Sequence, residues 1–188
     1  MMQMIELDSS LLALMTNQLE AASSRFAFVQ ARVSAEALVR DECALAIHEA
    51  LKDKGCHIHM EKNANGKKVD ILIYPAQGDF EDKCNACLIE LKMAWPRGHG
   101  ECSRYVKHDL DALKGRKNAW SLVLYFAFSE SLKWMPFAHV CADFEKGVRE
   151  FIARVGYGDP LLGPIFEFEN DGVRGKAQLM AWQAQVPA

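Results

Sequence analysis

The sequence predicts an α/β fold in which a mixed sheet is flanked by helices. Three observations predict it: helical and strand-like periodicities alternate along the chain, Asn65-Gly66 joins two strand-like runs, and an apolar run follows an amphipathic helix. The apolar run, residues 119–128, suits a strand that is buried on both faces. A strand, a crossover helix and such a second strand imply a right-handed parallel βαβ unit at the sheet centre.

Length, composition and charge limit the class of protein. The 188 residues, half of them hydrophobic, suit one domain over 1–188 with a sizeable core. The first fifteen residues contain no Lys or Arg, and no apolar run approaches the ~18 residues of a membrane span, so we expect a cytoplasmic protein with reduced cysteines. The net charge is −3, but residues 97–117 hold six Lys or Arg against three acids, which permits a local polyanion contact.

The first predicted element is an extra, long N-terminal helix over residues 8–33, capped by Ser9 or Ser10. Its apolar residues are spaced alternately by three and four: Leu12, Met15, Leu19, Ala22, Phe26, Val29 and Val33. Such a stripe is typical of a helix that packs on its own domain or of a homodimer seam. Ser23 and Ser24 interrupt the stripe and favour packing within the chain.

A second helix is predicted from Ser34 to Gly55, followed by a hairpin. Its core face carries Val39, Cys43, Ala46, Ile47 and Ala50, and its flanks carry the acids Glu36, Glu42 and Glu49. The hairpin arms are residues 56–62 and 67–74, and the return arm carries Asp70 between apolar residues.

The next strand, from Cys84 or Cys87 to Trp95, contains two charges inside an apolar pattern. Period-2 alternation places Leu88, Glu90, Lys92 and Ala94 on one face and Ile89, Leu91, Met93 and Trp95 on the other. Burying an ionised group costs several kcal/mol unless it is paired or binds a metal. Glu90 and Lys92 therefore need partners.

The remaining elements complete the predicted domain. A helix begins at Ser103, turns Val106, Leu110 and Leu113 inward, and ends at Gly115. Residues 142–188 supply a C-terminal helix, at 144–155, and two strands, at 165–169 and 176–185. The aromatic residues of the apolar run, Trp120, Tyr125, Phe126 and Phe128, are expected in the core rather than on a base-stacking surface.

The order of acidic helix, Asp-bearing hairpin arm, Glu-x-Lys strand, helix and buried strand resembles the PD-(D/E)xK nuclease superfamily over roughly residues 34–128. The resemblance implies a restriction-endonuclease-like fold, with Asp70 and Glu90 as metal ligands and Lys92 at the attacking water. It also implies a helical acid, for which we choose Glu42, with Glu36 or Glu49 as substitutes. Val69 stands where the motif's name has proline, which many members also lack.

The implied chemistry is phosphodiester hydrolysis with Mg²⁺ or Mn²⁺, on DNA in preference to RNA. A hard cation prefers oxygen ligands, which Asp70, Glu90 and the main-chain carbonyl of Leu91 would supply. Lys92 would either orient and deprotonate the water or stabilise the transition state as a cation, and the sequence leaves both roles open. The residues expected to contact nucleic acid are Lys68, Arg104, Lys107 and His108.

Three other interpretations compete with a nuclease. The first is a catalytically silent nuclease-fold module that binds nucleic acid or protein. The second is a purely structural or immunity-type interaction protein, in which the charges form only a buried Glu–Lys or Asp–Lys ion pair. The third is a zinc or iron–sulfur site, because Cys84-x-x-Cys87 has metal-ligand spacing. Cys87 shares a strand face with Ile89 and Leu91, which marks it as a core residue instead.

Overall fold

The structure is a computed structural model in which a six-stranded mixed sheet is flanked by helices. It describes residues 7–25, 35–64, 67–76, 86–96, 99–116, 118–130, 137–170 and 172–184. The helices are α1 (Ser9–Ala21), α2 (Glu36–Leu51), α3 (His99–Ala112) and α4 (Phe137–Val155). The strands are β1 (Cys56–Ala64), β2 (Lys67–Pro75), β3 (Cys87–Ala94), β4 (Ala119–Glu130), β5 (Leu161–Asn170) and β6 (Val173–Gln183). A short 3₁₀ helix, Lys52–Lys54, joins α2 to β1.

The strand order is β1-β2-β3-β4-β6-β5, so β3 and β4 lie at the sheet centre. These two strands pair in parallel, with Glu90 opposite Ser121 and Lys92 opposite Val123, and α3 makes the crossover between them. The other neighbouring strands pair antiparallel. The predicted parallel βαβ unit at the sheet centre is confirmed.

Each face of the sheet has its own hydrophobic core. On one face α1 and α2 pack against residues such as Ile71, Ile89 and Leu91. On the other face α3 and α4 pack against Leu88, Ala94 and their neighbours on β4. The alternation predicted for β3 is therefore confirmed, and Glu90 and Lys92 belong to the face that carries α3.

The N-terminal helix packs on its own domain. Leu12, Met15 and Leu19 are almost completely buried, in contact with α2 and β5, so this part of the stripe is not available to a second chain. Asp8 caps the helix instead of Ser9 or Ser10, because its Oδ1 accepts a hydrogen bond from the Leu11 amide at 2.8 Å. The helix ends at Ala21, with Ala22 as its C-cap, so the predicted continuous helix over 8–33 is wrong. The stripe residues beyond 25 lie outside the described residues.

Several elements are longer than the sequence predicts. Helix α3 begins at His99 and not at Ser103, because the His99 ring is buried against β4, where its Nε2 lies 2.6 Å from the Tyr125 hydroxyl. Helix α4 begins at Phe137, and β5 and β6 begin at Leu161 and Val173.

Within the described residues, no helix is both long enough and apolar enough to cross a membrane.

Candidate active site

Lys92 lies at the centre of a group of carboxylates between β2, β3 and α3. Its Nζ donates to the Leu91 carbonyl oxygen at 2.9 Å and lies 3.3 Å from Asp109 Oδ2. A quarter of the Lys92 side chain is exposed, against a tenth of the Asp109 side chain. Solvent therefore reaches the ammonium from one side only, while α3 holds it from the other.

Asp70 and Glu90 come to this place from neighbouring strands. The antiparallel ladder between β2 and β3 ends at the pair Ile71–Ile89, and Asp70 and Glu90 are the next residues on the two strands. At that point the Leu91 amide donates to Asp70 Oδ2 at 2.7 Å. Glu90 is only 5% exposed. The structure thus brings together the three predicted residues Asp70, Glu90 and Lys92.

The backbone of the hairpin is irregular beside Asp70. Val69 and Leu72 both belong to the core under α3, so the in-and-out alternation of β2 breaks between them. Opposite this break, Glu61 on β1 has a left-handed backbone with φ of 52°, which is rare for a residue other than glycine. Glu61 is held there by Arg40 at 2.6 Å and Lys68 at 3.1 Å. Asp70 lies within this irregular stretch, and its carboxylate reaches the Leu91 amide on β3.

The carboxylates keep Lys92 charged. Burial lowers the pKa of Lys92, but Asp109, Asp70 and Glu90 together raise it above its ordinary value. The Lys92 side chain is therefore an ammonium at neutral pH. Its positive charge balances acids on three elements, Asp70 on β2, Glu90 on β3 and Asp109 on α3.

Glu36, in the first turn of α2, also belongs to this group. Burial raises the pKa of Glu36, and Asp70 and Asp109 add to the increase, more than Lys92 and Arg40 lower it. We call Glu36, Asp70, Glu90, Lys92 and Asp109 the Lys92 cluster. Four carboxylates thus interact with one central ammonium.

The structure does not bring Glu42, our choice for the helical acid, into the Lys92 cluster. Its carboxylate is buried between α1 and α2, where Oε2 accepts from Gln18 Nε2 and Oε1 from Arg25 Nη1, each at 2.8 Å. The other alternative, Glu49, forms an exposed ion pair with Lys52 at 2.8 Å. Glu36 is the helical acid whose pKa Lys92, Asp70 and Asp109 affect.

Glu42 is expected to stabilise the packing of α1 on α2. The Glu42→Gln variant loses the charge that Arg25 pairs with, and we expect the free energy of unfolding to fall by about 1–2 kcal/mol, since Arg25 is largely exposed. Urea unfolding at pH 7 measures the change. Glu49→Gln is the matched control and is expected to unfold like the parent protein. Equal stability of Glu42→Gln would contradict the structural role.

The four predicted nucleic-acid contacts are all exposed, three on α3 and one on the hairpin. Arg104, Lys107 and His108 are exposed on α3, and the His108 ring Nδ1 lies 3.7 Å from Asp109 Oδ1. Arg104 Nε donates to the Gly100 carbonyl. Lys68 lies on the hairpin and pairs with Glu61. Their exposed positions leave all four side chains accessible to a phosphate backbone.

The thiols do not form a metal site in the described part of the chain. Cys43, Cys56, Cys87 and Cys102 are free, and burial raises the pKa of Cys87 to about 12. No group of three or more His, Cys, Asp or Glu side chains among the described residues is arranged to hold a metal ion. Cys87 lies in the core with Ile89 and Leu91, as predicted, and Cys84 is outside the described residues.

Asp109 is a cluster residue that the sequence predicts as a structural hydrogen-bonding residue and not as a ligand, and the structure places it 3.3 Å from Lys92. It lies three residues after the inward Val106 and next to the inward Leu110, so helical phase alone places it toward the sheet. This helical phase is the sequence signal that indicates Asp109 as a partner of Lys92.

The chain matches no protein-family model and no curated protein, so its geometry is the basis for assigning the site.

Proposed function

We propose that the chain is a metal-dependent nuclease of the PD-(D/E)xK superfamily, with a restriction-endonuclease-like fold, that hydrolyses phosphodiester bonds of DNA. The observation that carries the proposal is the convergence of Asp70, Glu90 and Lys92 beside the central parallel strand pair. Asp70 and Glu90 lie directly beyond the pair Ile71–Ile89, where the β2–β3 ladder ends, which supports a shared task. A structural ion pair would need only one carboxylate for one ammonium, whereas this site holds four.

The Lys92 cluster offers oxygen donors of the kind that Mg²⁺ or Mn²⁺ prefers, but no three of its carboxylates, all on residues that the structure describes, are arranged to hold one ion, so a cation would bind to two of them. Like charges in a partly buried site repel one another, and four carboxylates exceed the charge of one ammonium. Hard cations prefer such oxygen donors, and Asp70, Glu90 and the Leu91 carbonyl would hold one. When bound, the cation polarises the phosphate and lowers the pKa of a water. The Leu91 carbonyl already accepts from Lys92, so it would have to use its second lone pair or be released.

Asp109, Asp70 and Glu90 raise the pKa of Lys92, but a cation on Asp70 and Glu90 would offset two of these three charges. Lys92 therefore keeps both proposed roles, donation to a phosphate oxygen as a cation and orientation and deprotonation of the attacking water. Asp109 is a positioning residue, since its contact with Nζ holds the side chain over the site. Asp70 is oriented by the Leu91 amide. Glu36 takes the place of Glu42 as the helical acid.

The substrate strand would lie across the exposed side of the cluster. Lys68, Arg104, Lys107 and His108 would contact phosphates on either side of the scissile one, which orients the strand without reading its sequence. DNA stays the preferred substrate and RNA the second one. Cleavage of both strands of a duplex would require two copies of the chain or two successive events.

A cleavage assay tests the proposal directly. The purified chain is incubated with end-labelled single- and double-stranded DNA and RNA, with Mg²⁺, Mn²⁺ or EDTA. We expect shorter fragments with either cation and intact substrate in EDTA. Absence of cleavage from every substrate and cation would overturn the nuclease proposal. Binding without cleavage would instead favour the catalytically silent module.

A further inference from the structure

Three rings form a compact group on the β1–β2 hairpin. The His59 and Tyr74 rings are stacked, with centroids 5.3 Å apart and an interplanar angle of 14°. The His57 ring lies 5.4 Å from Tyr74 and 6.5 Å from His59. A hydrogen bond of 2.8 Å joins the Tyr74 hydroxyl to His59 Nε2. We call these three side chains the ring group.

The ring group faces away from the helix that supports the hairpin. His57 pairs with Tyr74 and His59 with Leu72, and Leu72 belongs to the core on the α3 side of the sheet. The alternating residues Cys56 and Ile58 turn instead toward α2. His57 is exposed, and His59 and Tyr74 are half-buried. Ring surface is thus open to solvent on the face that carries Lys92.

The ring group lies close to the Lys92 cluster along the same strand. Tyr74 is four residues from Asp70, which at about 3.3 Å per residue is roughly 13 Å, and His59 is level with Leu72, at roughly 7 Å. Successive bases of a stacked strand are about 3.4 Å apart. The ring group therefore lies about two to four bases from the position of a phosphate at the cluster.

The charge of the hairpin suits a polyanion. The hairpin, residues 56–75, holds three lysines against two acids, one of which is Asp70. Lys62 and Lys68 are both exposed on the two arms. An aromatic surface beside exposed ammonium groups has the two components of a single-strand binding surface, since the rings can stack on bases while the lysines attract phosphates.

We propose that the ring group stacks on an unpaired base of the DNA strand whose phosphate lies at the Lys92 cluster. The inference rests on the proposed nuclease function and adds a substrate class to it, namely DNA with a single-stranded segment next to the cut. Stacking recognises the π-face that all bases share, so this contact selects unpaired DNA and not a particular sequence. The hydrogen bond to His59 fixes the Tyr74 ring in orientation.

Binding of two matched oligonucleotides tests the inference. One is a fluorescent oligothymidylate 12-mer, and the other has the same backbone with abasic sugars, so that it keeps the phosphates and lacks the bases. The full chain is titrated in EDTA to prevent cleavage. We expect the base-bearing strand to bind more tightly, by roughly 5- to 150-fold for each stacked base.

Four variants test which side chains cause the preference for the base-bearing oligonucleotide. Tyr74→Ala and His57→Ala are expected to lose most of it, whereas Tyr74→Phe keeps the ring and is expected to retain it. Met60→Ala is the matched control, because this exposed side chain lies on β1 opposite Ile71, on the α2 side. Circular dichroism verifies that each variant is folded, and the exposed His57 is the substitution least expected to affect folding.

The outcomes separate the two proposals. Equal binding of both oligonucleotides, or an unchanged preference in folded Tyr74→Ala and His57→Ala, would overturn the ring-group proposal. If the parent protein nevertheless cleaves DNA, the nuclease proposal stands. If it neither binds nor cleaves DNA, both fall. Loss of the preference in Tyr74→Ala and its retention in Tyr74→Phe and Met60→Ala is the supporting result.

Discussion

Loss of metal-dependent cleavage is the expected result for Asp70→Asn, Glu90→Gln and Lys92→Met, each by roughly 10²- to 10⁴-fold. Each substitution nearly preserves shape and removes one charge, so the cause is chemical. The first two remove a carboxylate that would hold the cation, and the third removes the charge nearest to the phosphate. Single-turnover cleavage of end-labelled DNA in Mg²⁺ measures the effect, because it excludes product release.

Loss of the fold would imitate loss of chemistry, so two controls accompany these variants. Binding of uncleaved DNA in EDTA should persist, since the exposed lysines and Arg104 are unchanged. Lys146→Met removes an exposed charge from α4, where two thirds of the side chain is accessible, and should cleave like the parent protein. Near-normal cleavage by folded Glu90→Gln or Lys92→Met would exclude the proposed roles.

The parts of the site that sequence predicted are those fixed by local pattern. Strand β3 alternates with period 2 and is apolar on both faces, so the common orientation of Glu90 and Lys92 follows from the strand alone. Asn65-Gly66 predicts that a short turn joins the two hairpin arms, and the apolar run at residues 119–128 predicts the central strand. These features depend on residues only two to ten positions apart.

The parts that sequence missed depend on contacts between distant elements. The helical acid is an example, because α1 covers one flank of α2 and engages Glu42 through Gln18 and Arg25. Nothing within α2 indicates which flank α1 covers. Glu36 lies three residues before Val39 and seven before Cys43, so it shares their face of α2. This helical phase favours Glu36 as the inward acid, but it does not give the distance from Glu36 to the sheet.

The backbone beside Asp70 was equally beyond sequence. A left-handed glutamate is unfavourable locally, so no propensity predicts Glu61 in that conformation. Arg40 from α2 and Lys68 from β2 hold it, and both contacts exist only once the hairpin has packed. The irregularity coincides with the candidate site, and departures from local preference are most common at functional sites.

Glu36→Gln is expected to have opposite effects on stability and activity. The pKa of Glu36 in the folded protein is raised above its ordinary value of 4.5. The folded protein holds the Glu36 proton more tightly than the unfolded chain does, and this adds to the free energy of unfolding. The contribution is fully present below about pH 4.5 and is lost as pH rises through the pKa of Glu36 in the folded protein. Glutamine never ionises, so the variant's advantage in melting temperature should grow from pH 4.5 toward neutral pH.

Cleavage and cation dependence distinguish this acid from a structural one. If Glu36 helps to hold the cation, Glu36→Gln should cleave about 10- to 100-fold more slowly. Mg²⁺ should also raise the melting temperature of the parent protein more than that of the variant, because binding to the folded state stabilises it in proportion to affinity. Glu145→Gln, an exposed acid on α4, is the control and should change neither quantity. A variant that is more stable yet fully active would make Glu36 a bystander and leave the cation to Asp70 and Glu90.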